Sequence, residues 1–107
     1  MTENMDAEKI RLSDRLRYRA VDDEGVLVHL ENGRVLVVNE VGLFVVQALG
    51  RQAMTVDQLA ESVSGAFEVD TGQARVDVEA FLEQLRGEQA VDTVGDADRG
   101  AKGGVKE

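Results

Sequence analysis

The apolar positions of this chain follow two periods, and the change between them falls at Asn39. Before it, Val- and Leu-rich blocks alternate with turn residues, the pattern of strands. Leu16-Arg17-Tyr18-Arg19-Ala20-Val21 begins in strict alternation and ends at the polar run Asp22-Asp23-Glu24-Gly25. Residues 26–30 and 34–38 then flank Glu31-Asn32-Gly33. Asn-Gly signals a two-residue type I′ turn, because both of its central positions need positive φ. That turn predicts Glu31 opposite Arg34, Leu30 opposite Val35 and Val28 opposite Val37, and with them a three-stranded antiparallel meander. His29 then falls opposite Leu36 and reads as a half-exposed strand residue without a catalytic partner.

After Asn39 the period becomes 3.6. Asn39 is a good N-cap, and Val41, Phe44, Val45, Ala48 and Leu49 form one helical stripe that Gly50 would end. Thr55-Val56-Asp57-Gln58 reads as a capping box, followed by a second stripe through Val56, Leu59, Ala60, Val63 and Phe67. Asp70 can start a third helix with Ala74, Val78, Phe81, Leu82 and Leu85 inward and Gly87 at its end, after which Ala90-Val91 returns to the core. The predicted fold class is α+β, a winged helix-turn-helix-like arrangement of a three-stranded antiparallel sheet followed by three helices. Residues 1–11 read as a polar lead-in, 12–92 as the folded domain, and 93–107, with four glycines and no apolar period, as a flexible tail.

Composition narrows the chemistry. The 107 residues carry a net charge of −9, and none is Cys. Disulfides, thiolate metal sites and cysteine nucleophiles are excluded, and a single histidine leaves no material for a His-rich metal site. None of Ser13, Ser62 and Ser64 stands in a nucleophile elbow. The run Asp22-Asp23-Glu24 lacks the spacing of a calcium loop and reads as a solvated turn. The expectation is a non-catalytic protein without cofactor or metal. No apolar run approaches the ~20 residues of a membrane span, and the polar N-terminus is not a secretory signal, so no membrane partner and a cytoplasmic location are expected.

Residues 12–92 contain seven arginines and no lysine against 15 carboxylates. An acidic body repels the phosphate backbone, and the outward positions of the third helix, Arg75, Glu79, Glu83 and Arg86, include two acids, so a nucleic-acid partner is not expected despite the winged-helix pattern. The stripe of Arg15, Arg17 and Arg19 could grip an acidic partner or phosphate, and its plainer reading is protection of an edge strand and pairing with nearby acids. Residues 35–38 are four consecutive apolar residues, so that strand is apolar on both faces. Two explanations stand side by side: a greasy face covered by a second copy, in a homodimeric structural domain, or an edge that accepts an extended peptide.

Residues 26–42, Val-Leu-Val-His-Leu-Glu-Asn-Gly-Arg-Val-Leu-Val-Val-Asn-Glu-Val-Gly, resemble the hairpin of PqqD-like proteins, the peptide-recognition elements of pathways that make and modify ribosomal peptides (RiPPs). Val38-Asn39-Glu40 resembles the family's step from strand to helix, Thr55-Val56-Asp57-Gln58-Leu59-Ala60 its second helix, and Asp77-Val78-Glu79-Ala80-Phe81-Leu82-Glu83-Gln84-Leu85 its third. The resemblance spans residues 12–92. It implies a domain that binds the leader region of a precursor peptide and presents it to a modifying enzyme, such as a radical SAM protein, or to a leader peptidase of a lasso-peptide pathway. It further implies that Val35, Leu36, Val37 and Val38 supply a pairing edge, and that Ala74, Asp77, Phe81 and Gln84 line the facing groove.

Overall fold

The computed structural model describes residues 8–94. The elements are β1 (Lys9–Leu12), β2 (Leu16–Val21), β3 (Glu24–His29), β4 (Val35–Val38), α1 (Glu40–Arg51), α2 (Val56–Phe67), α3 (Thr71–Gly87) and β5 (Val91–Val94). Strands β2, β3 and β4 form the expected antiparallel sheet in that spatial order, and the three helices follow it.

Each helix starts where its side chains can satisfy free backbone donors. Asn39 accepts from the Gly42 N–H at 2.9 Å, and Asp70 accepts from Gly72 and Gln73. Thr55 and Gln58 form the reciprocal capping box, at 2.9 and 3.1 Å. Helix α1 does not stop at Gly50 but runs on to Arg51. Gly50 serves a different purpose: a Cβ there would lie 3.1 Å from the Tyr18 hydroxyl, which rests on this turn.

The core is built around α1. Gly42, Leu43, Val45, Val46, Ala48 and Leu49 are buried, and Val41 and Phe44 are half-buried, so apolar contact surrounds the helix on more than one stripe. Leu27 from the sheet, Leu59 and Val63 from α2, and Val78, Leu82 and Leu85 from α3 complete the core. Phe44 meets Phe67 edge-on at 5.5 Å between ring centroids.

Three further expectations need correction. The β3–β4 register pairs Val28 with Val35 and Val26 with Val37, two residues from the type I′ pairing. Gly33 has φ +73, whereas Asn32 is not in the left-handed region, so the two-residue turn is not formed. The hairpin instead closes through His29 N–H to Arg34 O and Gly33 N–H to His29 O, while the Asn32 side chain accepts from the Arg34 N–H. A slip of two leaves every side chain on its predicted face, which is why the hydrophobic pattern did not exclude it.

His29, expected half-exposed, is 3% exposed. Its Nε2–H donates to the Gln89 carbonyl at 3.1 Å and its Nδ1 accepts from the Glu31 N–H at 3.3 Å. The ring thus pins the hairpin loop to the link between α3 and β5.

The third correction concerns the boundaries. Lys9–Leu12, assigned mainly to the lead-in, pairs antiparallel with Val91–Val94 across the expected start of the tail. Residues 1–7 and 95–107 lie outside the described residues. Ile10 is 1% exposed and exchanges backbone hydrogen bonds with Met54 at 2.7 and 2.9 Å, which lock β1 to the α1–α2 link. Ile10→Ala should therefore cost about 2–5 kcal/mol, as for other fully buried aliphatic residues. Urea denaturation checks this, and a loss below about 1 kcal/mol would mean that β1 is not part of the cooperative core.

Candidate functional site

Among the described residues strand β4 has one neighbour in the sheet, and the hydrogen-bond alternation shows which of its groups that neighbour uses. His29 donates to Arg34 across the hairpin, so Arg34, Leu36 and Val38 are the residues whose backbone faces β3. The backbone N–H and C=O of Val35 and Val37 point the other way, to the sheet's free edge. Two donors and two acceptors are thus presented, about 7 Å apart along the strand.

Helix α3 runs past this strand in the opposite sense. At one end the Phe81 ring lies against Gly42, where a Cβ would sit 2.9 Å from Val38 Cβ and 3.0 Å from Phe81 Cζ. At the other end Arg34, just before β4, bonds to Glu88, just after α3. Four residues of strand (about 13 Å) therefore lie beside seven of helix (about 10 Å).

At the Phe81 end opens a cleft of about 380 Å³. Asn39, Val41 and Gly42 line it from the start of α1, and Asp77, Phe81 and Gln84 from α3. The residues singled out in the sequence divide accordingly. Asp77, Phe81 and Gln84 come together in the cleft. Val35 and Val37 are 61% and 62% exposed on the outer face of the sheet, Leu36 is half-buried towards the helices, and Val38 is buried. Ala74 does not line the cleft: it is fully buried in the core, one helical turn before Val78 on the same inward face. In the hydrophobic pattern the α1 residues stand out only as a cap and an apolar stripe. Their signal was position, since an N-cap one residue after a strand must sit at the strand's end.

Asp77 accepts a hydrogen bond from Gln73 Nε2 at 3.0 Å and is otherwise open to the cleft. As the seventh residue of α3 it lies beyond the first turn, where the helix dipole acts. Elsewhere on α3, Arg75 pairs with Asp57 and Glu79, and Arg86 with Glu83, so the helix's cations are matched by carboxylates. Among the described residues no group of three or more His, Asp or Glu is placed to hold a metal ion, and no helix is long and apolar enough to cross a membrane.

The family model of Coenzyme PQQ synthesis protein D (PqqD) matches residues 24–91, and the chain belongs to that family. Among solved structures, TbiB1 in complex with the TbiA(beta) leader peptide superposes with a TM-score of 0.71 at 23% identity, over 80% of this chain and 99% of that one. A lasso peptide synthetase B1 complexed with the leader peptide gives 0.66 at 20% identity, over 78% and 96%. The PqqD truncation of Methylobacterium extorquens PqqCD, described as a functional and stand-alone RiPP recognition element, also gives 0.66 at 20%, over 78% and 88%. No curated protein matches the chain.

The Arg34 guanidinium, through its hydrogen bonds, holds the Glu88 carboxyl below the ordinary glutamate value of 4.5. A depressed carboxyl pKa means that the pair is in place above that value and is lost as pH falls through the lower, folded value. A carbon-13 titration of the Glu88 carboxyl should therefore show a midpoint below 4.5 that returns to the ordinary value in Arg34→Gln. A normal midpoint in the unsubstituted protein would mean that the pair is not formed in solution.

Proposed function

We propose that this protein binds the leader region of a ribosomally made precursor peptide as an added strand on β4, without catalysing a reaction itself. It presents that peptide to a modifying enzyme, a radical SAM protein or a leader peptidase. The observation that carries this reading is the free edge at Val35 and Val37, set beside a cleft whose wall is Phe81. Membership of the PqqD family and the leader peptides held by TbiB1 and the lasso synthetase B1 support it.

The physics of such a site follows from strand addition. Main-chain hydrogen bonds at Val35 and Val37 contribute affinity with little regard to sequence, each about 0.5–1.5 kcal/mol net. Alternate side chains of the added strand fall on opposite faces, so every second residue points towards the cleft and supplies selectivity. Asp77 and Gln84 offer polar contacts there, and Phe81 an apolar wall.

Fluorescence polarisation with labelled leader and core fragments of the cognate precursor should give a leader Kd on the order of 0.1–10 μM and no core binding. Core binding without leader affinity would overturn the reading. Asp77→Ala should lower leader affinity by about 1–3 kcal/mol while leaving the melting temperature unchanged. Unchanged affinity with a lowered melting temperature would put the groove on another side of α3. The same open edge can pair with a second copy of the chain. A dimer that persists at saturating leader, measured by light scattering, would favour a structural domain over a peptide-binding one.

A further inference from the structure

The seam between β4 and α3 is bridged at its hairpin end by one ion pair. Arg34 Nε and Nη2 donate to the two carboxylate oxygens of Glu88, at 2.5 and 2.9 Å, in the forked geometry that arginine makes with any carboxylate. Next to this bridge is a second hollow, of about 300 Å³, lined by Asn32, Arg34, Gly87, Glu88 and Gln89. Among the described residues Arg34 is the only cation lining either this hollow or the Phe81 cleft. The Arg34 side chain is 62% exposed and that of Glu88 22%, so solvent reaches the pair from the Arg34 side. Another carboxylate of the same shape can compete with Glu88 for the exposed guanidinium.

Strand parity says where such a carboxylate would come from. Arg34, Leu36 and Val38 share the inner face of the sheet, since side chains on one face recur every second residue. In a peptide paired with β4, the residue opposite Val38 points to the Phe81 cleft, and the residue opposite Arg34 lies four positions along the peptide on the same face. This holds whichever way the peptide runs.

We propose that Glu88 holds, in the free protein, the place of an acidic side chain of the bound peptide, and that Arg34 reads that side chain four residues from the apolar residue seated at Phe81. The proposal rests on the peptide-binding reading above and adds a sequence requirement to it: an apolar anchor and an Asp or Glu at a separation of four. It makes Arg34 a specificity residue in a body that otherwise repels acidic ligands.

The test is a library of random dodecapeptides displayed on phage and selected on the full chain. Peptides whose binding weakens about ten-fold in Phe81→Ala or Asp77→Ala are assigned to the groove. Those peptides should carry Asp or Glu four positions from an apolar residue. Selection on Arg34→Gln should keep the apolar anchor and lose the acidic position. Arg34→Lys, which retains the charge but not the fork, should keep it with weaker enrichment. Glu88→Gln, which withdraws the competing carboxylate, should bind the acidic peptides several-fold more tightly. Amide spectra of each variant that match the unsubstituted protein exclude a folding defect. Groove peptides without an acidic position, or with one that survives in Arg34→Gln, overturn the proposal and leave the peptide-binding reading intact. Peptides indifferent to Phe81 and Asp77, or no enriched peptides, overturn both.

Discussion

Backbone N–H and C=O groups in a sheet have to find partners, and β4 has a neighbour on one side. Among the described residues no strand closes its other side, and the chain leaves Val38 directly for the Asn39 cap and the first turn of α1. The two edges of the sheet are treated differently. On β2, Arg17 and Arg19 stand on the outer face, and Arg17 folds back onto the carbonyls of Asp14 and Leu16, the charged dressing that discourages pairing. On β4 the corresponding outer positions are Val35 and Val37, which discourage nothing. One edge is guarded and the other is left available, and the cleft, the Arg34–Glu88 bridge and the approach of α3 are all arranged around the available one.

That arrangement depends on how closely α1 can approach. Gly42 sits in its first turn, between the end of β4 and the Phe81 ring, with no room for a side chain. Removing bulk there lets strand, helix start and α3 converge on one point, with Phe81 as a wall rather than a plug. The rest of α1 is gripped by aliphatic contacts from the sheet, β1 and α2, so the cleft is fixed by the most buried helix of the molecule. A site framed by such an element is held in shape before any ligand arrives, which limits the ordering that binding requires.

Much of this was legible in the sequence, because the fold uses strong local signals. The three caps, Asn39, Thr55 and Asp70, start the helices at the expected residues, and the inward stripe of α3 at Val78, Leu82 and Leu85 is as its period implies. What was not legible has physical causes. The hairpin register turned on which residues of Glu31-Asn32-Gly33 adopt positive φ, a choice that a face-preserving slip of two hides from the hydrophobic pattern. Strand β1 carries a single deeply buried residue, Ile10, within charged neighbours, too little for a period to show. Ala74 and Asp77 lie close on a helical wheel, yet the wheel does not say where the neighbouring elements end. Ala74 falls beneath them and Asp77 beside them.

The pairing of β1 with β5 places Lys9 directly across from Val94, so the chain enters and leaves the described domain at adjacent points, roughly 5 Å apart by ordinary strand geometry. Geometrically such a domain is a pendant rather than a link: it hangs from a polypeptide at one place and does not set the distance between whatever flanks it. The β4 edge belongs to the other sheet, so tension or attachment at the two ends is borne by the β1–β5 ladder and by Ile10 beneath it. The same unit can therefore stand alone, terminate a larger protein or interrupt one, with its open edge unaltered in each setting.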